Sequence, residues 1–244
     1  MAIVVKNSSE SSSCPDGPKL TMRILHVADL HLHKPWLDWV SSNAKDFGLV
    51  VVAGDVMNAF SDVPLREQMR LSQEWLIGIP APVLLCSGNH DHWVKDARVS
   101  IDTAAEGGWL RNLRRKGNVI AVDGDVVTVG GVKIAVAGWL RPRWPQADIV
   151  IYHAPPAGCS CAGSGGRDVG DQDAADQLVE HPPRLFLSGH VHEGKPWCWW
   201  PPLDRKTLVL VPGCTADNQP PAHWAIDYLN RTASHVPSGE SVGF

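Results

Sequence analysis

The chain has 244 residues, of which 44% are hydrophobic and 20% are charged, and its formal net charge is -4. This length can bury one substantial core, so we expect a single folded domain. No apolar run approaches the roughly 20 residues of a membrane helix, and we expect no membrane partner. The acidic balance argues against a dedicated sequence-independent DNA-binding protein, which would gain affinity from a basic face. A local basic patch is compatible with this net charge, and the candidates are residues 111–116, Arg141 and Arg143.

The two ends of the sequence differ from its middle. Residues 7–20 are rich in Ser, Pro and Gly, with little to bury, and we predict a disordered leader over residues 1–21. The leader lacks the basic and then apolar pattern of a secretory signal, so we expect a cytoplasmic protein whose six cysteines are thiols. We predict a single domain over residues 22–235 and a C-terminal tail over residues 236–244.

Short apolar runs predict nine strands, which in chain order are Arg23–Val27, Leu49–Ala53, Val83–Cys86, 119–122, Val126–Val129, 132–137, 149–152, Leu185–Leu187 and 208–211. Segments with helical spacing separate the first three runs, which indicates an α/β architecture with a largely parallel first half. The runs between 119 and 137 are separated by Gly124 and by Gly130-Gly131, and they predict an antiparallel meander. A mixed sheet or two packed sheets should result.

Polar residues follow five of these runs directly. They are Asp29 and His31, then Asp55, then Asn89, His90 and Asp91, then His153, and finally His190 and His192. Ligands of α/β proteins bind outside the carboxyl ends of the strands. Taken singly, Asp29 fits a turn or a helix N-cap, Asn89 a turn, and His153 a structural histidine. Five such strand ends together are better explained by one metal site.

The mixture of ligand types narrows the choice of metal. Imidazole nitrogen combined with carboxylate and amide oxygen suits Mn, Fe or Zn, whereas all-oxygen sets suit Ca or Mg. Asp29 and His31 are two residues apart, as are His190 and His192, so on extended backbone both members of a pair point the same way. Glycines that permit sharp turns and leave room for ions stand beside these residues: they are Gly54, Gly88 and Gly189.

The ordered series Asp29-x-His31, Gly54-Asp55, Gly88-Asn89-His90-Asp91, His153 and Gly189-His190-x-His192 resembles the calcineurin-like metallophosphoesterases. The resemblance covers roughly residues 22–230, and the stretches 153–156 and 189–194 look like the small metallophosphoesterase-domain-containing phosphodiesterases. It implies an α/β fold in which two mixed β-sheets pack as a sandwich flanked by helices, in four layers (α/β/β/α), with the site along one edge.

The resemblance also implies a role for each residue. One divalent ion would be held by Asp29, His31, Asp55 and His192, and a second by Asp55, Asn89, His153 and His190, with Asp55 as the bridge. Manganese is favoured, with iron or zinc as alternatives. A hydroxide bridging the two ions would attack phosphorus. His90 would be catalytic, stabilising developing charge or protonating the leaving alkoxide.

Two neighbours of the motif residues have open roles. Asp91, also assigned as catalytic, would orient His90 or cap the following helix. In the phosphoprotein-phosphatase branch, an acid three residues after the bridging aspartate pairs with the catalytic histidine. Asn58 occupies that position here, which disfavours that branch.

We expect a metal-dependent phosphoesterase, and specifically a phosphodiesterase acting on a small phosphoester, nucleotides included. A DNA or RNA nuclease or a phosphomonoesterase of the same fold is the alternative, nucleic acid being the less favoured partner. An interaction module that binds metal without turnover is a third hypothesis. The sequence leaves the oligomeric state unknown.

Two further residues are candidates for substrate binding. Arg167 lies in the Gly-rich segment 158–173, which we predict to be a surface loop near the metals. Its guanidinium could bind a phosphate oxygen, and ordinary solvation explains it equally well. His92 could touch substrate, although we favour a supporting or surface role for it.

Cysteine and tryptophan patterns give weaker indications. Cys159 and Cys161 suggest half of a metal site, but no second pair follows at zinc-ribbon spacing, so the sequence argues against structural zinc. Trp197, Trp199 and Trp200 crowd one stretch, which we interpret as a covered core or a hairpin face rather than a substrate platform.

Overall fold

The computed structural model describes residues 22–91 and 108–244. The predicted leader and His92 lie outside these ranges. The described helices are α1 Lys34–Asn43, α2 Leu65–Gly78, α3 Gly108–Arg111 and α4 Gln172–Glu180, and a 3-10 turn spans Ala44–Asp46. Over the described ranges, every helix is too short or too polar to cross a membrane.

The first sheet has seven strands, which are β1 Arg23–Val27, β2 Leu49–Ala53, β3 Val83–Cys86, β4 Val119–Ala121, β13 His223–Asp227, β14 Thr232–Val236 and β15 Ser241–Gly243. Their order across the sheet is β15-β14-β13-β1-β2-β3-β4. Strands β1 to β4 run parallel to one another, whereas β13 to β15 add antiparallel pairs. The parallel half carries the first three motif loops at one end.

The second sheet has six strands, which are β5 Val126–Val129, β6 Val132–Val136, β7 Ile149–Ile151, β10 Leu185–Leu187, β11 Trp197–Trp200 and β12 Thr207–Leu210. Their order is β11-β12-β10-β7-β6-β5. The four central strands are parallel, and both edge strands are antiparallel. Strand β11 carries the three crowded tryptophans and pairs with β12 as an antiparallel hairpin, which agrees with one of the two interpretations given for them. A small hairpin joins β8 Gly163–Ser164 to β9 Arg167–Asp168.

Alternation along the strands creates the layers. In β2, Val50 and Val52 pack in the cluster that includes residues of α1 and α2, whereas Leu49 and Val51 pack in the cluster between the two sheets. In β7, Val150 packs in the cluster that includes residues of α4. Since strand side chains alternate between faces, each sheet has one face on its partner and one on helices. The predicted α/β/β/α sandwich is confirmed.

Three details of the sequence prediction need correction, the first being that none of the predicted runs covers β13 or β14. Strand β4 pairs in parallel with β3, and a turn at Gly124 (φ +80°) leads the chain to the β5–β6 hairpin of the other sheet. The predicted meander is therefore limited to β5 and β6. Residues 236–244 are not a loose tail, because Ser241–Gly243 pairs with β14 as an edge strand. Such a short, mostly exposed edge strand has no apolar run to predict it.

Candidate metal centre

The carboxyl ends of β1, β2, β3, β7 and β10 meet at one edge of the sandwich and carry all five motif loops. Backbone hydrogen bonds join these loops. The Asp29 N–H donates to the Gly54 carbonyl (3.1 Å), and the Gly189 N–H donates to the His153 carbonyl (2.7 Å). Polar side chains from both sheets are thereby fixed in one small volume.

Four of the clustered residues have left-handed backbone, with φ of 54° at Asp29, 46° at His31, 54° at Asp55 and 68° at His190. Non-glycine residues avoid this region, at a cost of order 1–3 kcal/mol each, and they concentrate at functional sites. The extended backbone assumed for Asp29 and His31 in the sequence prediction is therefore wrong. Their side chains meet because the loop turns sharply after β1.

Glycines are required here by close packing. A Cβ on Gly88 would collide with Asp55 Oδ1 and would lie 2.8 Å from His153 Nε2. A Cβ on Gly189 would lie 2.7 Å from Asp29 Oδ2. The space beside the two carboxylates is thus available only because these positions lack side chains.

His153 lies fully buried at the middle of the cluster. Its Nδ1–H donates to the Ala53 carbonyl (2.7 Å), which leaves the Nε2 lone pair directed at Asn89 Oδ1 (3.1 Å) and Asp55 Oδ2 (3.3 Å). Burial lowers the pKa of His153, but the Asp55 and Asp29 carboxylates outweigh it and raise its pKa to about 9. Three acceptor atoms converging in this way require a cation between them, either a proton or a metal ion.

A second group of ligand atoms lies beside the first. His31 Nδ1–H donates to the Met57 carbonyl (3.2 Å), so its Nε2 lone pair is free, as in metal-bound histidines whose other nitrogen is oriented by a carbonyl. His192 Nε2 lies 3.5 Å from Asp29 Oδ1. One ligand atom from each of Asp29, His31 and His192 lies within 4.8 Å of the others. These residues fit a nitrogen- and oxygen-coordinated ion.

His190 and Asn89 complete the set. His190 Nδ1 lies 2.9 Å from Asn89 Oδ1, and the His190 backbone N–H donates to Asp29 Oδ2 (3.0 Å). The structure therefore brings together all seven predicted ligands. The donor chemistry of imidazole, carboxylate and amide fits Mn, Fe or Zn, while the sharing of these ligands between two ions, with Asp55 as bridge, stays a prediction.

The hydrogen bonds of His90 define the tautomer of its neutral ring. The Ala59 backbone N–H donates to His90 Nδ1 (3.0 Å), so the neutral ring must carry its proton on Nε2, which lies 3.9 Å from Asp55 Oδ2. Burial lowers the pKa of His90, which favours this neutral form. Asn58 does not replace the missing acid, because its Oδ1 accepts from the Phe60 N–H (2.9 Å).

The contacts of Asp91 do not support the predicted orientation of His90, and the alternative helix cap concerns residues outside the described ranges. The fully buried Asp91 carboxylate accepts the backbone N–H groups of Asp55 (2.9 Å), Met57 (3.0 Å) and Gly88 (2.9 Å). Both oxygens are therefore occupied by the loops after β2 and β3. Asp91 holds the backbone that carries Asp55, rather than orienting the His90 ring.

Two aromatic residues beside the cluster were missed by sequence reasoning. The Phe60 ring is 77% exposed and lies edge-on to His90, at 5.2 Å between centroids. The half-buried Trp139 ring lies 5.5 Å from each of the His153 and His190 rings. A large aromatic in the polar loop after Asp55 was the available signal for Phe60. Nothing in the sequence linked Trp139 to the site.

The proposed contact by Arg167 gains no support. Arg167 lies on the exposed strand β9, and its side chain makes no hydrogen bond or ion pair with another residue in the described ranges. Segment 158–173 is also less exposed to solvent than the predicted surface loop, because Cys159, Cys161 and Ala162 are buried. His92 lies outside the described residues.

Comparisons with known proteins agree with this geometry and identify the class as metal-dependent phosphoesterases. The model of the calcineurin-like phosphoesterase family matches residues 22–194, and the chain belongs to that family. A crystal structure of TT1561 from Thermus thermophilus is 15% identical, with a TM-score of 0.61, covering 91% of this chain and 99% of that one.

Purple acid phosphatase PPD1 from yellow lupin (Lupinus luteus) seeds has the same fold at 13% identity and a TM-score of 0.54, covering 91% of this chain and 53% of that chain. No curated protein matches the sequence significantly. At these identities the structural likeness concerns the fold alone.

Replacing Gly88 by alanine should weaken metal binding at the centre. The added Cβ would collide with Asp55 Oδ1 and crowd His153, so we expect Mn²⁺ binding to weaken by about tenfold or more. Gly78→Ala is the matched control, because no atom lies within 4 Å of its Cβ position. Metal content after dialysis, measured by mass spectrometry, checks this. Equal metal in both variants would contradict the packing argument.

Proposed function

We propose that the protein is a phosphodiesterase that uses two divalent ions to hydrolyse a small phosphodiester, with nucleotides as the favoured class. The hydrogen bond from the Ala59 N–H to His90 Nδ1, which leaves Nε2 as the donor beside the ligand cluster, is the observation that carries this proposal. Two ions at the centre would polarise the phosphoryl oxygens and lower the pKa of water. Manganese as the metal and a cytoplasmic location stay predictions from the sequence.

His90 is suited to donate a hydrogen bond rather than to transfer a proton. Protonating Nδ1 would set its new N–H against the Ala59 N–H, because two donors would then face each other. Burial disfavours the charged ring as well. The Nε2–H therefore stabilises charge that develops on the leaving oxygen, as a preorganised donor does in other hydrolases. Of the two roles that the resemblance implied, this geometry supports the first.

The charges around the cluster favour a diester over a monoester. The hydrogen bonds and ion pairs that hold the site residues involve histidine, carboxylate, amide, backbone and, at Cys214 beside His192, thiol groups, and within the described ranges none involves lysine or arginine. A monoester carries a second negative charge near neutral pH, which would benefit from such a cation. A singly charged diester has less need of one.

The rim of the site favours a substrate with a flat ring. Phe60 exposes its ring beside His90, while Trp139 lies beside His153 and His190. Aromatic faces stack on nucleobases irrespective of base identity, contributing about 1–3 kcal/mol per base. A nucleotide diester could place its phosphate at the centre and a base against one of these rings.

The nuclease alternative loses part of its support. Arg114, within the basic segment 111–116, pairs with Asp125 (2.8 Å). An arginine held in this way contributes less to an electrostatic surface for a nucleic acid backbone.

The substrate preference can be tested directly. Mn²⁺-loaded protein should hydrolyse bis-p-nitrophenyl phosphate faster than p-nitrophenyl phosphate at equal concentrations, because no lysine or arginine of the described residues is bonded to the site residues to balance the second charge of a monoester. Release of nitrophenol measures both rates. Equal or inverted rates would identify a phosphomonoesterase, and no turnover of any phosphoester at full metal occupancy would favour an interaction module.

The role of His90 is tested by two substitutions with equal metal content. His90→Ala removes the donor and should lower kcat by roughly 10²–10³. His90→Gln restores an N–H near the Nε2 position and should retain a kcat about tenfold above that of His90→Ala. Glutamine cannot act as a general acid, so equal kcat values for the two variants would show that proton transfer, and not hydrogen bonding, is the function of His90.

A further inference from the structure

Three cysteines form a compact cluster that the proposed reaction does not use. Cys159, Cys161 and Cys198 are 6%, 0% and 8% exposed, and their sulfur atoms all lie within 4.8 Å of one another. All three are free thiols. No residue of this cluster belongs to the Asp, Asn and His centre, so its function requires a separate explanation.

The backbone around the cluster is ordered by its own hydrogen bonds. The Cys159 N–H donates to the Pro156 carbonyl (3.3 Å), and the Ala162 N–H donates to the Cys159 carbonyl (3.0 Å), which closes a turn around Cys161. Cys198 comes from a different element, strand β11, where it pairs with Val209 of β12. Two sulfurs from a tight turn therefore meet a third from a sheet edge, as fixed ligands of a metal would.

The surroundings of the three sulfurs are apolar. They pack in the cluster that includes Trp144 and Phe186, with Trp200 against it. The three Sγ atoms lie within 4.8 Å of one another, so thiolates there would share one small apolar volume. A buried negative charge is costly without a cation, and thiolates are soft ligands that select Zn²⁺ or Cu⁺ over Mn²⁺ and Mg²⁺.

We propose that Cys159, Cys161 and Cys198 bind one Zn²⁺ ion, separate from the dinuclear centre, with a non-protein ligand such as water in the fourth position. Three protein ligands and one open position are within the known range of zinc sites. The ion would connect the turn at 159–162, which follows His153 in the chain, to strand β11, which follows His192. Zinc would thereby brace two segments that continue from the catalytic loops.

The sequence argued against zinc here because only the Cys159 and Cys161 pair was visible. Cys198 stands alone among tryptophans, far along the chain. The parallel pairing of β7, β10 and β12, with β11 beside β12, is what brings it to the pair.

Cadmium provides a direct test on the full chain, because thiolate–Cd²⁺ bonds absorb in the ultraviolet whereas imidazole and carboxylate bonds do not. Reduced wild-type protein titrated with Cd²⁺ should show this absorption saturating at one equivalent, and Zn²⁺ should abolish it by competition. Asp55→Asn protein, depleted at the dinuclear centre, should retain both the absorption and one bound Zn²⁺. Absence of thiolate absorption from the reduced wild type would overturn the proposal without any variant.

Cys198→Ser should remove the absorption and one equivalent of Zn²⁺ while leaving Mn²⁺ at the dinuclear centre. Cys86→Ala is the matched control, because Cys86 is buried in β3, is free, and lies outside the cluster. Its absorption should match that of the wild type. A Cys198→Ser variant that keeps one Zn²⁺ and the full absorption would overturn the assignment, as would thiol counting that finds a stable disulfide between two of the three cysteines.

Discussion

The structure depends on the burial of two carboxylates, Asp29 and Asp55, which are 0% and 2% exposed, around the fully buried ring of His153. Buried carboxylates are costly unless a cation balances them. In the part of the chain that the structure describes, a protonated His153 is the cation that lies close to both carboxylates. The two carboxylates raise the pKa of this histidine. A divalent ion bound through the same His153 lone pair would supply two positive charges where a proton supplies one, so the two carboxylates are balanced more fully by a metal ion than by a proton.

The fold supplies the geometry that this arrangement needs. Parallel strands deliver their carboxyl ends to one edge, and hydrogen bonds between backbone groups such as those of Gly189 and His153 join the loops there. Asp91 uses its whole carboxylate to hold the loops around Asp55 and Gly88. The left-handed residues and the glycines then let the side chains approach closely. Backbone strain is tolerated in return for a rigid centre, as expected where catalysis requires preorganised ligands.

The strand ends and the ligand types could be predicted because both are local properties. A β-branched run ending in Gly-Asp or Gly-Asn-His-Asp reveals a strand and the loop after it, and the residue types that can bind a metal are read directly from the sequence. The hydrogen bonds of Asp91 and the rim position of Trp139 could not be predicted, since they depend on how loops from distant strands pack. The same reason explains why Cys198 was not recognised as a partner of Cys159 and Cys161. Strand β15 was missed because a short edge strand has no hydrophobic pattern.

The central claim is that Asp55 lies between two ions. Anomalous diffraction from crystals grown with Mn²⁺ measures this most directly, because each ion gives its own peak whatever the reaction catalysed. The account predicts two peaks about 3.5–4 Å apart, with an Asp55 oxygen between them and His153 bound to only one ion. A single peak, or two peaks of which only one contacts Asp55, would contradict it.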